Sequence, residues 1–460
     1  GAYYYGGKLI DVSREARAVA DGLKSSTQFV FCDELGLGTK PEGSQWTPLR
    51  DFAVPSPGPL SFEPVAFDAP LYIMFSSGTT GVPKCIVHSV GGTLIQHLKE
   101  LRLHCDVKAK SRLFFYTTCG WMMWNWMVSA LAADATIVTF DGALNYPNLG
   151  RLWELVRDER IETFGTSPKF ISTCMGQAVD ARAALGDFAP RTILTTGSPL
   201  LPEHSEWIQS QCPQVHLASI SGGTDIISCF MLGVPTLPVR SGEIQRPGLG
   251  MAIEAWDAQG KPVRGEKGEL VCTKPFPSMP LGFWNDGDGK KYHDAYFAYY
   301  AERGRDVWRH GDFVEVTADG GIVVYGRSDA TLNPGGVRIG TAELYRQVEA
   351  IDEIADSLAI GKKEKDDTVI VLFVKLKPQR VLDASLVANI KSVIRSNLTP
   401  RHVPKEIIQV QDIPYTRSGK KVEMAVTEAV HGQPVKNLAS LSNPESIDEY
   451  VAMGARWSAL

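Results

Sequence analysis

The segment Ser76-Ser77-Gly78-Thr79-Thr80-Gly81-Val82-Pro83-Lys84 gathers four hydroxyl side chains, two glycines and a lysine within nine residues. Hydroxyls donate to phosphate oxygens, glycines let the backbone approach them closely, and a terminal lysine supplies positive charge. The chemistry is that of a phosphate cradle. It differs from the G-x-x-x-x-G-K-[ST] loop that opens a helix, because Pro83 precedes the lysine and a β-rich run, CIVHS, follows. A solvated Ser/Thr/Gly loop is the plain alternative; residue order and the strand-like Leu71 to Phe75 ahead of it favour the cradle.

Other charged residues could complete such a site, and each also has an ordinary structural use. Asp225, in a Gly-rich loop, is a hard oxygen ligand suited to an Mg²⁺ that keeps waters and bridges phosphates; alone it could cap a turn or helix. Asp312, read as lying at a strand start after Gly311, could accept two hydrogen bonds from a ribose diol or sit in a surface turn. Arg327 and Arg338 are fixed charges able to reach ribose or phosphate, or solvated surface groups. Lys420 stands in RSGKK, a loop that could carry an ammonium into an active site or remain a basic turn. His88 is read as a satisfied structural histidine, and Trp124 and Trp126 as core.

In their order along the chain these segments resemble the signature of the adenylate-forming superfamily of acyl-CoA synthetases, peptide-synthetase adenylation domains and luciferases. The resemblance implies that Ser76, Ser77, Gly78, Thr79, Thr80, Gly81 and Lys84 cradle ATP phosphates. Gly197-Ser198-Pro199 is similar to the family's adenine-contacting turn. Ser221-Gly222-Gly223-Thr224-Asp225 stands where the family has an aromatic-G-x-T-E motif whose acid holds Mg²⁺; the shorter Asp225 implies contact through water. Trp308-Arg309-His310-Gly311-Asp312 resembles the Y-x-T-G-D motif whose Asp binds ribose. Gly326-Arg327-Ser328-Asp329 with Gly335-Gly336-Val337-Arg338-Ile339 resembles the hinge and its downstream loop, and Pro414 to Lys420 the catalytic-lysine motif.

By the same resemblance, Lys420 stabilises charge as a carboxylate attacks the α-phosphate and pyrophosphate leaves. The small C-terminal domain then turns about Asp329, and the Gly335-Gly336 loop replaces Lys420 to line a CoA tunnel. Arg395 falls where acetyl-CoA synthetases have a CoA-contacting arginine, and Trp121 where the family lines its acyl pocket. Gly222 stands where acetyl-CoA synthetases carry a tryptophan, which implies room for a longer acid. HLASISGGTDI, the cradle with its following residues, and IPYTRSGKKVE resemble the acetoacetyl-CoA synthetases. The implied reaction uses acetoacetate, ATP and CoA with Mg²⁺; the alternatives are another short- or medium-chain acyl-CoA ligase or a catalytically silent relative.

The rest of the chain must position these groups. At 460 residues it exceeds one core, and roughly 100–200 residues per domain allows two to four. From Leu71, β-rich runs alternate with helix-compatible stretches such as Thr93 to Leu103 and Asn148 to Glu159, which predicts parallel sheets. Gly242 to Val324 has short strands between Gly, Pro and Asp turns and predicts an antiparallel subdomain. After residue 328 a helix from about Ala342 to Ala350, two strands, a second helix around Leu386 to Ser396 and a polar tail predict a small α+β domain. The expected fold is α/β: a large N-terminal domain of mainly parallel sheets flanked by helices, plus a small β subdomain, then a smaller mobile α+β domain. The expected division is 1–328 for adenylation and 329–460 for the lid, with Pro55 to Pro59 linker-like.

Net charge −5 argues against nucleic-acid or anionic-membrane binding. Eight cysteines without metal-ligand spacing read as reduced thiols in a cytoplasmic protein, and no apolar run reaches the roughly 20 residues of a membrane span. The opening GAYYYGGKL lacks an initiator Met, a signal sequence or transit-peptide character, and reads as a fragment or processed start. The resemblance implies that strands of the first subdomain and part of the CoA surface precede it in relatives. The chain is therefore expected to keep the ATP motifs while being incompletely folded or inactive alone.

Overall fold

The β-rich runs on either side of the Ser76–Lys84 segment pair antiparallel, Pro70–Phe75 with Cys85–Ser89, in the computed structural model. It describes residues 2–23, 25, 28–33, 35–37, 46–53, 58–76, 84–334, 339–364, 367–417, 419–435 and 438–458. Pairing brings the segment's described ends together: the Ser76 N–H donates to the Lys84 carbonyl at 3.1 Å, and the Lys84 N–H to Ser76 Oγ at 3.1 Å. Pro70–Phe75 is the edge of a three-stranded sheet and leaves Leu71, Ile73 and Phe75 exposed.

Residues 1–65 with 139–155 form one unit, and 66–138 with 156–460 a second. The first holds a hairpin, Ala2–Tyr5 with Lys8–Asp11, the helix Ser13–Gly22, and Phe29–Phe31 paired parallel with Trp46–Pro48 over a small cluster of Ala20, Phe31 and Trp46.

The second unit contains the predicted parallel sheet, in the order His216–Ser219, Thr192–Thr195, Thr163–Thr166, Arg112–Phe115, Thr136–Ile137. Its central strands are buried throughout, as strands covered on both faces must be. Gly165 is required there, because a Cβ would fall 1.9 Å from the Phe115 ring. The helix after the cradle begins at Val90, earlier than predicted, since Ser89 Oγ caps it by accepting from Gly92 N. It widens at its end into a π-helical turn, Glu100–His104.

The antiparallel subdomain is a five-stranded sheet in which Lys267–Cys272, Trp308–Val316 and Ile322–Arg327 are consecutive neighbours. Asp312 lies inside its strand rather than at the start, because buried Trp308 extends the strand upstream by pairing with Cys272.

Ile354–Glu364, Asp367–Leu376 and Glu406–Gln409 form the C-terminal sheet. Alternation along Asp367–Leu376 divides two cores: Ile370, Leu372 and Val374 face one with Leu344, Val348, Ile390 and Ile394, while Val371 and Phe373 face another with Val426, Ala429 and Tyr450. The second core corrects the expected polar tail. Residues beyond Lys421 form the helices Glu423–Val430 and Ile447–Ser458, whose apolar residues cover the sheet's second face. Among the described residues no disulfide joins the eight cysteines, five of which are buried, and no helix is long and apolar enough to cross a membrane.

Candidate active site

A cavity of about 330 Å³ opens in the second unit beyond the C-terminal ends of the parallel strands Thr192–Thr195 and His216–Ser219, the usual ligand position in open α/β sheets. The residues just past those strands, Thr196 to Leu201 and Ser219 to Asp225, line it. Ser76 and Lys84 enter from the hairpin ends, Asp312 and Arg327 from the antiparallel sheet, and Lys420 and Lys421 from the C-terminal region.

Asp225 is held at one end. Lys84 Nζ donates to its Oδ1 at 2.9 Å and the Tyr296 hydroxyl donates to the same oxygen at 2.5 Å. The Lys84 ammonium also lies 4.7 Å from the centre of the Tyr296 ring, which is stacked on Trp308. Burial pushes the carboxyl upward, but the Lys84 charge and the Tyr296 hydrogen bond outweigh it and hold Asp225 below the ordinary range, so it is ionised. Among the described residues no group of three or more His, Cys, Asp or Glu side chains could hold a metal. One ionised hard oxygen in a phosphate-sized cavity fits an Mg²⁺ that keeps several waters and takes phosphate oxygens as its other ligands.

Asp312 and Arg327 form a second charged group. Arg327 Nη1 lies 3.3 Å from Asp312 Oδ1 and donates to the His310 carbonyl at 3.2 Å, while Arg327 Nε is 3.5 Å from Asp329 Oδ1. Gly311 makes this possible: its φ is +86°, and a Cβ there would lie 2.9 Å from the guanidinium. Lys420 shares the cavity, its loop closed by Lys420 N donating to Thr416 Oγ1 at 3.0 Å. Burial lowers the Lys420 ammonium's pKa; Asp312 and Asp225 act to raise it and Arg327 to lower it further, with a net downward shift.

A third cluster joins the C-terminal sheet to the rest of the site. Lys169 Nζ donates to Asp356 Oδ2 at 2.5 Å, the Tyr415 hydroxyl donates to the same carboxylate at 2.9 Å, and Lys421 Nζ lies 3.0 Å from its other oxygen. Burial acts to raise the Asp356 carboxyl, and the two lysines reverse that and hold it well below the ordinary range. Lys267 pairs with Glu343, which His402 also contacts at 3.3 Å.

Comparison with known proteins adds the family. The AMP-binding enzyme family matches residues 13–284, and its C-terminal domain family matches residues 343–420. The chain belongs to the AMP-binding enzyme family. The acetoacetyl-coenzyme A synthetase of Rhizobium meliloti is 53% identical over 455 residues, covering 98% of this chain and 69% of that protein. The acetoacetyl-CoA synthetase of Rattus norvegicus is 50% identical over 395 residues, 85% of this chain and 58% of that protein. The chain thus spans between about three-fifths and two-thirds of the length of these relatives. The structure of acetoacetyl-CoA synthetase from Streptomyces lividans superposes with a TM-score of 0.89 at 40% identity, over 99% of this chain and 69% of that one. The anthranilate CoA ligase AuaEII, with a TM-score of 0.69 and 18% identity over 81% of this chain and 69% of that one, shares the fold.

Within this AMP-binding fold, most residues singled out in the sequence converge. Ser76, Lys84, Gly197, Ser198, Pro199, Ser221, Gly222, Gly223, Thr224, Asp225, Asp312, Arg327, Asp329 and Lys420 all line the cavity. Ser77, Gly78, Thr79, Thr80, Gly81, Gly335, Gly336 and Arg338 lie outside the described residues. Trp121 does not line the cavity but packs edge-on against Phe115, 5.8 Å between ring centres. Gly222 lines the cavity, and a Cβ there would lie 2.0 Å from the Ser228 carbonyl oxygen and 2.5 Å from Cys229 Cα. Its missing side chain accommodates the neighbouring strand Ser228–Leu232. Arg395 sits exposed in the last turn of the helix Ala384–Asn397, away from the cavity lining. His88 is buried, hydrogen-bonded to the Thr224 carbonyl and held neutral by burial, its pKa lowered to about 4. Tyr296, Lys169 and Asp356 were missed; only Tyr415 and Lys421, beside Lys420 in the sequence, carried a signal.

Proposed function

We propose that the chain activates acetoacetate with ATP, giving acetoacetyl-AMP and pyrophosphate, and then transfers the acyl group to the thiol of CoA, giving acetoacetyl-CoA and AMP. The observation that carries this reading is the meeting of Lys420 with Asp312, Arg327, Asp225 and the Gly197–Pro199 turn in one cavity, from segments far apart in sequence. Acetoacetate is taken from the names of the Rhizobium meliloti and Rattus norvegicus relatives and of the Streptomyces lividans structure.

Each residue has a task in that reaction. The turn Gly197-Ser198-Pro199 offers a flat backbone edge to adenine, with Gly197 at φ +105°. Asp312, held in its strand and aligned by Arg327, accepts the ribose hydroxyls. Ser76 and Lys84 flank the phosphates, and bound Mg²⁺ would neutralise their charge beside Asp225. Lys420 places its ammonium where negative charge grows on the carboxylate and α-phosphate oxygens, and its downward shift reflects a desolvated site in which that charge acts strongly. In the thioester step the CoA thiol loses its proton and displaces AMP from the acyl carbon. Residues 1–328 are assigned to adenylation and 329–460 to a lid that turns about Asp329, with Gly335, Gly336 and Arg395 serving CoA. A cytoplasmic location accords with this metabolism.

An acid panel tests the substrate. With ATP, Mg²⁺ and CoA, acetoacetate is expected to give the highest rate of AMP release; a faster rate with acetate or butyrate would overturn the assignment, and no release with any acid would overturn the activity of this chain.

A further inference from the structure

The loop that carries Asp225 has an unusual backbone. Ile227, two residues on, has φ +49°, a left-handed conformation that crowds a β-branched side chain and that such residues rarely adopt. Ile227 is fully buried and its neighbour Ser228 opens the strand Ser228–Leu232. Something must hold this turn.

One stretch of chain, His88 to His104, contacts it repeatedly. His88 Nε2 meets the Thr224 carbonyl at 2.9 Å, and His97 Nε2 meets the Ile227 carbonyl at 2.5 Å. A carbonyl only accepts, so both imidazoles donate from Nε2; His97 Nδ1 is then free to accept from the Ser129 hydroxyl at 2.8 Å. Glu100, with its side chain fully buried, accepts from Ser228 Oγ, from Cys229 N at 3.2 Å, from Trp126 Nε1 at 2.8 Å and from Gln96 Nε2 at 3.1 Å. His104 Nδ1 donates to the Gly233 carbonyl at 2.8 Å. His97, Glu100 and His104 come from the end of one helix and the π-helical turn that continues it, a distortion found often at functional sites.

We propose that His97, supported by His88 and Glu100, is a positioning residue that locks the Thr224–Cys229 turn in its left-handed form and so fixes Asp225 against Lys84 for binding magnesium-complexed ATP. The inference rests on the ATP reading of the cavity. His97 itself lies outside the cavity lining and acts through the Ile227 carbonyl. Without its hydrogen bond the turn relaxes toward an unstrained backbone and Asp225 loses its fixed place.

The test uses the full chain and two nearly isosteric variants, His97→Gln, which keeps a donor, and His97→Met, which does not. Two quantities are read: amide hydrogen exchange of the peptide spanning residues 224–229 without nucleotide, and the Mg²⁺ dependence of ATP binding by calorimetry. His97→Met is expected to raise both the exchange rate and the half-saturating Mg²⁺ about tenfold, as the loss of one buried hydrogen bond would, while His97→Gln stays within about twofold of the unmodified chain. Adding Ile227→Gly to His97→Met should restore the Mg²⁺ dependence even if melting temperature falls, because glycine adopts φ +49° without strain. Unchanged exchange and Mg²⁺ dependence in His97→Met, a lower melting temperature with Mg²⁺ dependence unmoved, or equal effects of Gln and Met would overturn the proposal. If the unmodified chain bound no ATP, the reading of the cavity would fail, and the proposed role of the turn with it; the exchange data alone would still decide whether His97 locks it.

Discussion

Two charged groups that line the same cavity, Asp225 and Lys420, are held in different ways. Asp225 sits on a turn fastened from inside by buried hydrogen bonds of His88, His97 and Glu100 to backbone. Lys420 sits on a loop of the C-terminal region, which meets the rest of the unit through ion pairs such as Lys169 with Asp356 and Lys267 with Glu343, whose lysines are partly exposed. Buried hydrogen bonds to backbone are costly to break, whereas ion pairs reached by water exchange partners readily. The proposed two-step reaction would use the difference, with the acid side staying in place and the lysine side moving. A ligase that runs two reactions in one cavity needs both properties.

The comparison predicts a graded set of outcomes. Replacing Lys420 by Ala should lower adenylate formation about a thousandfold, in the range of removing one charged transition-state contact, while thioester formation from preformed adenylate persists. Equal loss of both half-reactions would remove the distinction between a moving lysine and a fixed acid.

Acid should attack the fold through two buried imidazoles, His88 under the Asp225 turn and His204 near the Lys421 and Lys169 charges. Burial lowers His88 to about 4, and burial with the nearby Lys421 and Lys169 charges does the same to His204. The unfolded chain takes up these protons near pH 6.5 while the folded chain resists until about 4. Stability is therefore full above about 6.5 and falls through that window, by about 3 kcal/mol per histidine. Melting temperature against pH checks it, and a His88→Gln variant should flatten the curve.

Asp225→Asn keeps the shape of the side chain but not its charge, and should raise the half-saturating Mg²⁺ for adenylation about a hundredfold. At the small end, Lys169→Met should slow adenylation only about threefold and leave the thioester step unchanged, since Asp356 keeps Tyr415 and Lys421. A larger effect on the thioester step than on adenylation would mean that this ion pair belongs to the other domain position.

Much of this was legible in the sequence because it depends on local chemistry. The cradle ends, the Gly197–Pro199 turn, Asp225, Asp312 and Lys420 each lie in short strings whose residue types match a task, and the parallel and antiparallel sheets followed from alternating apolar runs. What escaped notice depends on distant approach. Nothing in the string Ser167-Pro168-Lys169 announces Asp356, and the tyrosine on Asp225 comes from a helix 71 residues away. At Gly222 the direction a side chain would take is likewise set by the strand Ser228–Leu232, which the local string does not show. The terminal helices were missed because their apolar residues cover a sheet face that the sequence places some 50 residues upstream.

The central claim is that this cavity joins a carboxylate to AMP. Its most direct test is exchange of labelled pyrophosphate into ATP by the chain with acetoacetate and Mg²⁺, in the absence of CoA. The account predicts exchange that requires acetoacetate and is lost in Lys420→Ala. Exchange without acetoacetate, exchange undiminished by Lys420→Ala, or no exchange from the unmodified chain would contradict it.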